Sequence, residues 1–389
     1  MLQAKKERVY KFDNIKFLAI LLVVIGHCIE CYTSYDNPSS FNSIFVFIYS
    51  FHMPLLIFIS GLFTKRQTKG DKFNIKKFSY LIIVGFLLKF CKMIVQIINI
   101  IYAAYKNGEP ITLKLFNRGT LDVGLLGSNS IEWYLFVVAL CVLIAYLVKD
   151  IHPAITIPVS ITLGCLIGKL NFISYPSTLY NPNFMYLQRL FVFLPFFLAG
   201  YYLTPEKVMD IVSNKAIKII SIIFMIGFFI FCFRFQDIIY PFRSVFSGMN
   251  SYARTTVEGC NIQHRLLTYA ISTILVVGII SVIPNVKIPM ISKMGSNTIG
   301  VYFFHNLIIN LLGGFGFFTF IETLTFGDVG WKILVYVFAI GLTLLLSLDI
   351  FSLPFKKINL LVKKIPDKAL YIGNVIVFLI VVLISSYFH

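Results

Sequence analysis

The sequence predicts an all-α fold, a polytopic integral membrane bundle of about ten or eleven transmembrane helices, and three observations carry that expectation. Of its 389 residues, 58% are hydrophobic and only 13% charged, against about half and about a quarter in soluble domains; the mean hydropathy is +0.84. Apolar stretches of about twenty residues, long enough to cross a hydrocarbon core of ~30 Å as a helix, recur along the whole chain. The formal net charge of +17 falls in short clusters between those stretches rather than on one polar face, which points to a lipid bilayer and away from nucleic acid.

Taken in order, the spans cover residues 15–32, 41–63, 78–105, 131–148, 151–168, 184–203, 217–233, 266–283, 298–321, 331–353 and 370–387. The first reads as uncleaved, because His27, Cys28, Ile29 and Glu30 stand where a signal peptidase needs small side chains. The fifth, with Pro153 and Pro158, suits a tight helical hairpin whose prolines lie near its start. Residues 1–389 then form a single membrane domain, with 370–388 as an extra C-terminal helix. Lys5, Lys6, Arg8 and Lys11, the run from Lys65 to Lys77, Lys149, Lys207, Lys215, Lys287, Lys293 and the run from Lys356 to Lys368 all fall on one side. That side is cytoplasmic by the positive-inside rule, which puts the N-terminus inside and His389 outside. Residues 106–130 and 234–265 become the long outer loops, either binding segments or ordinary connections. Lys- and Ile-rich, Ala-poor usage suits a bacterial plasma membrane.

The seven cysteines are scattered through apolar segments and give no disulfide framework. Cys28 and Cys31 flank His27 as C-x-x-C, but no second pair at metal spacing follows, so no metal is expected.

The chemistry-bearing residues cluster in the first two spans. His27 lies about 18 Å from the inner face by helical rise, and His52, on a span descending inward, about 14 Å. Two imidazoles near the midplane of neighbouring antiparallel helices are costly to place and mark a functional site by default. Gly26 admits close approach to His27, and Glu30, one turn outward on the same face, is placed to orient its ring. For His52 two readings stand. It is a partner in chemistry, or a brace that satisfies the backbone carbonyl freed by Pro54. Lys89, Lys92 and Arg189 are charges at membrane depth that need a cavity or a partner such as Asp13 or Asp349. Glu132 and Trp133 are expected at the outer interface, where tryptophan anchors and a carboxylate can orient an acceptor. His305, about 10 Å from the inner face, is either helix glue or a supporting partner.

An aspartate, a basic residue three positions on, and an apolar run ending in Gly-His, as in Asp13, Lys16, Gly26 and His27, resemble the first helix of the acyltransferase 3 family of integral-membrane acyltransferases. The phrase Phe51-His52-Met53-Pro54-Leu55-Leu56-Ile57-Phe58-Ile59-Ser60-Gly61 resembles that family's second-helix motif. Weaker likenesses follow at Trp133-Tyr134-Leu135 and Gly300-Val301-Tyr302-Phe303-Phe304-His305. The resemblance implies acyl transfer, usually acetyl, from cytoplasmic acyl-CoA to a sugar hydroxyl of an exported polysaccharide, with no permanently bound cofactor. It places His27 at the family's essential histidine, as general base or acyl carrier, and Lys16 where arginine is more usual, so that a point charge replaces a planar fork. The basic pair after the second helix becomes Arg66 and Lys69, and eleven spans exceed the family's common ten.

Independently of the family, an anionic cytoplasmic donor needs cations at the inner mouth. Lys16, Lys65, Arg66 and Lys69 supply them, with Asp13 beside Lys16. Glu132, Trp133, Arg189 and His305 are the candidates for holding the acceptor, and His27, His52 and Glu30 those for catalysis. The competing functions are transport or flipping of a glycolipid or small solute, motivated by the midplane cations, and a scaffold in an envelope assembly complex. The acceptor sugar, acyl length and oligomeric state stay open.

Overall fold

The computed structural model describes residues 9–35, 39–116, 131–170, 186–324 and 327–387. All eleven predicted spans fall on helix, and there is no strand among the described residues. The basic tail residues Lys5, Lys6 and Arg8 lie outside them.

The first span is α1 (Tyr10–Glu30), the second is divided into α2 (Ser40–Tyr49) and α3 (His52–Leu62), and the third is the long α4 (Ile75–Asn107). Three shorter helices follow: α5 (Trp133–Leu147), α6 (Pro153–Leu166) and α7 (Leu187–Tyr202). The chain then turns by 96° into α8 (Pro205–Ser213) and returns through α9 (Lys215–Arg234). Two single-turn helices, α10 (Gln236–Ile239) and α11 (Arg243–Phe246), lead to α12 (Ile262–Val282), α13 (Pro289–Gly295) and α14 (Thr298–Gly314). The last elements are α15 (Phe317–Thr323), α16 (Gly327–Leu346), α17 (Asp349–Lys364) and α18 (Asp367–Tyr387).

Among the described residues six helical stretches, α2 and α3 counted together, are long and apolar enough to cross a membrane, eight if the bent pairs α7–α8 and α14–α15 each count once. This is fewer than the eleven drawn from sequence. The physical reason lies partly in α5 and α6, whose 15 and 14 residues fall short of the ~20 that a crossing requires. The tenth span is among those counted, though it ends at Leu346, and the chain continues as the separate, lysine-rich α17.

Packing between these apolar helices relies on close contact and on polar clasps, since lipid is as apolar as their side chains. The base of α1 shows both. Lys11 Nζ donates to the Ile280 carbonyl at 2.8 Å, Asn14 Nδ2 donates to the Pro284 and Val286 carbonyls, and Asn14 Oδ1 accepts from Ser292 Oγ at 2.7 Å. Gly295 of α13 lies so close that a Cβ there would come 1.8 Å from the Asp13 carbonyl oxygen. Isoleucines 219, 220, 223, 226 and 230 of α9 remain exposed, as suits a helix facing lipid.

The division of the second span follows from Pro54, which has no N–H to offer the Ser50 carbonyl. That carbonyl is satisfied by Ser272 Oγ of α12 at 2.5 Å. The sequence reading assigned the freed carbonyl to His52. In the structure His52 Nδ1 donates instead to the Ile48 carbonyl at 2.8 Å, one turn back on its own segment.

Candidate active site

His27 occupies the last turn of α1, and its Nδ1 lies 3.1 Å from Glu30 Oε2. The i,i+3 spacing on a helix brings the two side chains onto one face. The ring of His305, from α14, stands 5.4 Å from that of His27, centroid to centroid, tilted by 41°. Depth from apolar limits alone had set these histidines about 8 Å apart. In the structure the two rings meet directly across the packed helices α1 and α14.

His52 is held at the start of α3 against the Tyr49 ring, 4.7 Å away, and the same tyrosine faces Gly26, where a Cβ would lie 3.4 Å from it. Gly26 thus leaves room for the ring that links His52 to the His27 helix. His27, Glu30 and Arg189 all lie within electrostatic reach of His52. Of the three imidazoles, only that of His27 is open, its side chain 24% exposed; His52 is 4% and His305 0% exposed. His305 Nδ1 donates to the Val301 carbonyl at 2.8 Å, which leaves Nε2 buried and without a partner among the described residues.

Glu132 and Trp133 lie deep in the bundle, not at the interface expected from sequence. Short α5 begins inside the protein, where Glu132 Oε1 lies 3.3 Å from Lys89 Nζ of mid-α4 and accepts from Tyr186 OH at 3.1 Å. Trp133 stacks on Phe193 at 5.5 Å, and the Arg189 guanidinium lies 4.3 Å over its ring. Arg189 also donates through Nε to the Ser247 carbonyl, while its Nη1 is buried with no partner among the described residues. Two of the three midplane cations that suggested transport are therefore engaged, Lys89 by a carboxylate and Arg189 by an aromatic face.

Part of the outer loop predicted at 234–265 folds over this cluster as α10, α11 and the turns beyond them. Arg243 Nε lies 3.3 Å from Tyr35 OH, and its guanidinium stands 4.7 Å from the Tyr240 ring. Arg243 and Arg189 both act through space on the Glu30 carboxylate. Arg243 was not singled out from sequence, because an arginine in a polar loop carries no local signal.

At the lysine-rich end, Lys16 Nζ lies 3.6 Å from Asp13 Oδ1 and 4.2 Å from the centre of the Phe63 ring. Arg66 stacks over Tyr202 at 5.4 Å, and Lys65 and Lys69 are exposed. These four cations surround the end of α3 and the start of α1, eleven residues, or about 16 Å of helical rise, from His27. Among the described residues no group of three metal-ligating side chains is gathered; Cys31 Sγ contacts the Cys28 carbonyl.

The arrangement is an open imidazole oriented by a carboxylate, backed by two buried imidazoles and a guanidinium, with cations at one mouth. It can accept a proton from a hydroxyl, or take an acyl group, at His27 Nε2. A family model described as an acyltransferase domain matches residues 9–352. No curated protein and no solved structure matches the chain significantly.

Proposed function

The chain belongs to the acyltransferase 3 family and is a membrane acyltransferase; from that premise we propose that it transfers an acyl group, acetyl above all, from cytoplasmic acyl-CoA to a sugar hydroxyl of a cell-surface or exported polysaccharide. The observation that carries this reading is the contact of His27 Nδ1 with Glu30 at 3.1 Å. With the carboxylate accepting from Nδ1, the lone pair is left on Nε2 of the one imidazole that is open to a substrate.

The acceptor hydroxyl gives its proton to His27 Nε2 as its oxygen bonds to the acyl carbon. The carbon–sulfur bond then breaks, and the leaving thiolate takes the proton back from the imidazolium. In the covalent variant Nε2 attacks the thioester and the carbon–sulfur bond breaks to release the thiolate; the acceptor oxygen then takes the acyl group from Nε2, and its proton goes to the thiolate. Either route passes through an oxyanion, for which Arg189 Nη1, buried without a partner among the described residues, is an available donor. Lys16, Lys65, Arg66 and Lys69 attract the anionic donor to the inner mouth. Trp133 and Glu132 act on the acceptor side indirectly, Trp133 by holding the Arg189 guanidinium over its ring and Glu132 by fixing the start of α5. His52 and His305, both buried, hold the walls against which His27 works. The N-terminus is then cytoplasmic, in a plasma membrane.

The test is mass spectrometry of the surface glycan with and without the protein, and with His27→Ala at matched protein level. Loss of general-base assistance lowers transfer by ~10²–10⁴-fold, seen as loss of an acetyl-sized mass on a sugar. Acylation by His27→Ala at the parental rate would refute the assignment.

A further inference from the structure

Helix α17 runs along the lysine-rich face of the bundle instead of crossing it. At one end Asp349 Oδ1 accepts from Asn297, just before α14, at 2.6 Å. At the other the Lys363 carbonyl accepts from Lys76 Nζ, on the first turn of α4, at 2.8 Å. Both α14 and α4 begin at that face, so the ~24 Å of helix that joins the two anchors lies in its plane. One stripe of α17 is buried against the bundle. The Phe355 ring stands 4.9 Å from that of Phe303 on α14, Ser352 is fully covered, and Val362 packs with Ile75 of α4 and Leu370 of α18.

The rest of its circumference carries two kinds of exposed side chain. Ile350, Leu353, Leu360 and Leu361 are apolar; Lys356, Lys357, Lys363 and Lys364 are cationic. The seven-residue spacing of Leu353 with Leu360, Lys356 with Lys363 and Lys357 with Lys364 sets leucines and lysines in adjacent rows. The acids nearest in sequence are already engaged, Asp349 by Lys293 at 2.9 Å and Lys356 at 3.7 Å, and Asp367 by Lys76 at 3.7 Å. Lys357, Lys363 and Lys364 have no carboxylate within ion-pair distance among the described residues. Apolar rows are costly in water and unpaired lysines are costly in hydrocarbon. Both are accommodated at the boundary, where leucines enter the acyl region and ammonium groups reach the headgroups along their apolar stems. Four lysines against one carboxylate on α17 favour headgroups of negative charge.

We propose that α17 is an interfacial helix that binds the headgroups of anionic phospholipids through Lys357 and Lys364, with Lys356 and Lys363 alongside and the leucine rows seated in the acyl boundary. The proposal needs neither the acyl donor nor the acceptor, so it stands or falls separately from the acyltransferase reading.

The experiment places the full chain in nanodiscs of mixed phosphatidylcholine and phosphatidylglycerol, releases it into mild detergent and counts the lipids that stay bound by native mass spectrometry. Wild type is expected to retain phosphatidylglycerol above its share of the disc. The double variant Lys357→Gln, Lys364→Gln is expected to lower that enrichment about fivefold or more, and Lys357→Arg with Lys364→Arg to keep it. Equal enrichment in wild type and the glutamine variant overturns the proposal, as does a wild type with no preference for phosphatidylglycerol. If the glutamine variant keeps its phosphatidylglycerol but loses affinity for CoA, these lysines serve a free phosphate ligand and the proposal falls. Should that variant not fold, labelling by acetic anhydride in the wild-type protein decides: Lys357 and Lys364 must be protected in discs containing phosphatidylglycerol relative to discs of phosphatidylcholine alone, and equal labelling refutes the assignment.

Discussion

Gly61 of α3 and Gly200 of α7 meet in reciprocal backbone contact: a Cβ on Gly61 would come 2.1 Å from the Phe197 carbonyl oxygen, and one on Gly200 2.1 Å from that of Phe58. Each glycine makes room for the other helix's main chain, and this contact fixes α3, which carries His52 at one end and the basic loop at the other. Gly61→Ala or Gly200→Ala must force the helices apart, because a backbone oxygen cannot rotate away as a side chain can. Overpacking costs ~1–3 kcal/mol, and the rigidity of the clash puts both variants at the upper end. Thermal midpoints in detergent should fall for each, and an unchanged midpoint would refute the close approach.

Lys89 and Glu132 form a buried ion pair that ties α4 to the start of α5. Removing one member strands the other, at ~3–5 kcal/mol, whereas replacing both is far milder. Lys89→Met alone should therefore destabilise the protein strongly, and Lys89→Met with Glu132→Gln should recover most of the loss. A double variant no more stable than the single one would show that the pair does not couple.

Much of the fold was legible in the sequence, because a twenty-residue apolar run has few alternatives to a helix in lipid. All eleven predicted runs are helical, and His27 and Glu30 were paired correctly from i,i+3 spacing. Two kinds of feature were not legible. Helix starts inside the bundle, such as Glu132 and Trp133, look in sequence like interfacial anchors, since the Trp-rich boundary of a span reads the same at either depth. Contacts between distant segments, such as His27 with His305 and Ser50 with Ser272, leave no periodic trace.

Ser272 supports the break between α2 and α3 by donating to the carbonyl that Pro54 leaves open. Ser272→Ala leaves a buried acceptor unsatisfied at ~1–3 kcal/mol, and Ser272→Thr should retain the bond. If the break positions His52 as described, Ser272→Ala should also reduce transfer at temperatures where the protein is folded. Equal stability and activity in Ser272→Ala and wild type would remove the bond from the account.

Asp349 joins three elements, since it bonds Lys293 of α13 at 2.9 Å, accepts from Asn297 at the start of α14 at 2.6 Å and lies 3.7 Å from Lys356 of α17. The Lys293 and Asn297 hydrogen bonds, helped by the charges of Lys293 and Lys356, hold its carboxyl below the ordinary carboxylate range. The folded protein therefore keeps this group ionised to lower pH than the unfolded chain does. Its contribution is complete above the unfolded value of about 4 and is lost as the pH falls through the folded value. Because the group is exposed, the effect is modest and weakens with salt. In low salt the thermal midpoint of wild type should exceed that of Asp349→Asn at about pH 6 and converge on it toward about pH 3; a gap independent of pH would exclude the carboxylate as its cause.

The union of the first helix with the last third of the chain sets the order in which activity can arise during synthesis. Asn14 is clasped by Ser292 across 278 residues, and His27 waits a similar interval for His305. A nascent chain that has inserted only its early helices already carries His27, but without the α14 wall behind it. Contacts of such range close late. The His27 site is therefore complete only once α13 and α14 have arrived.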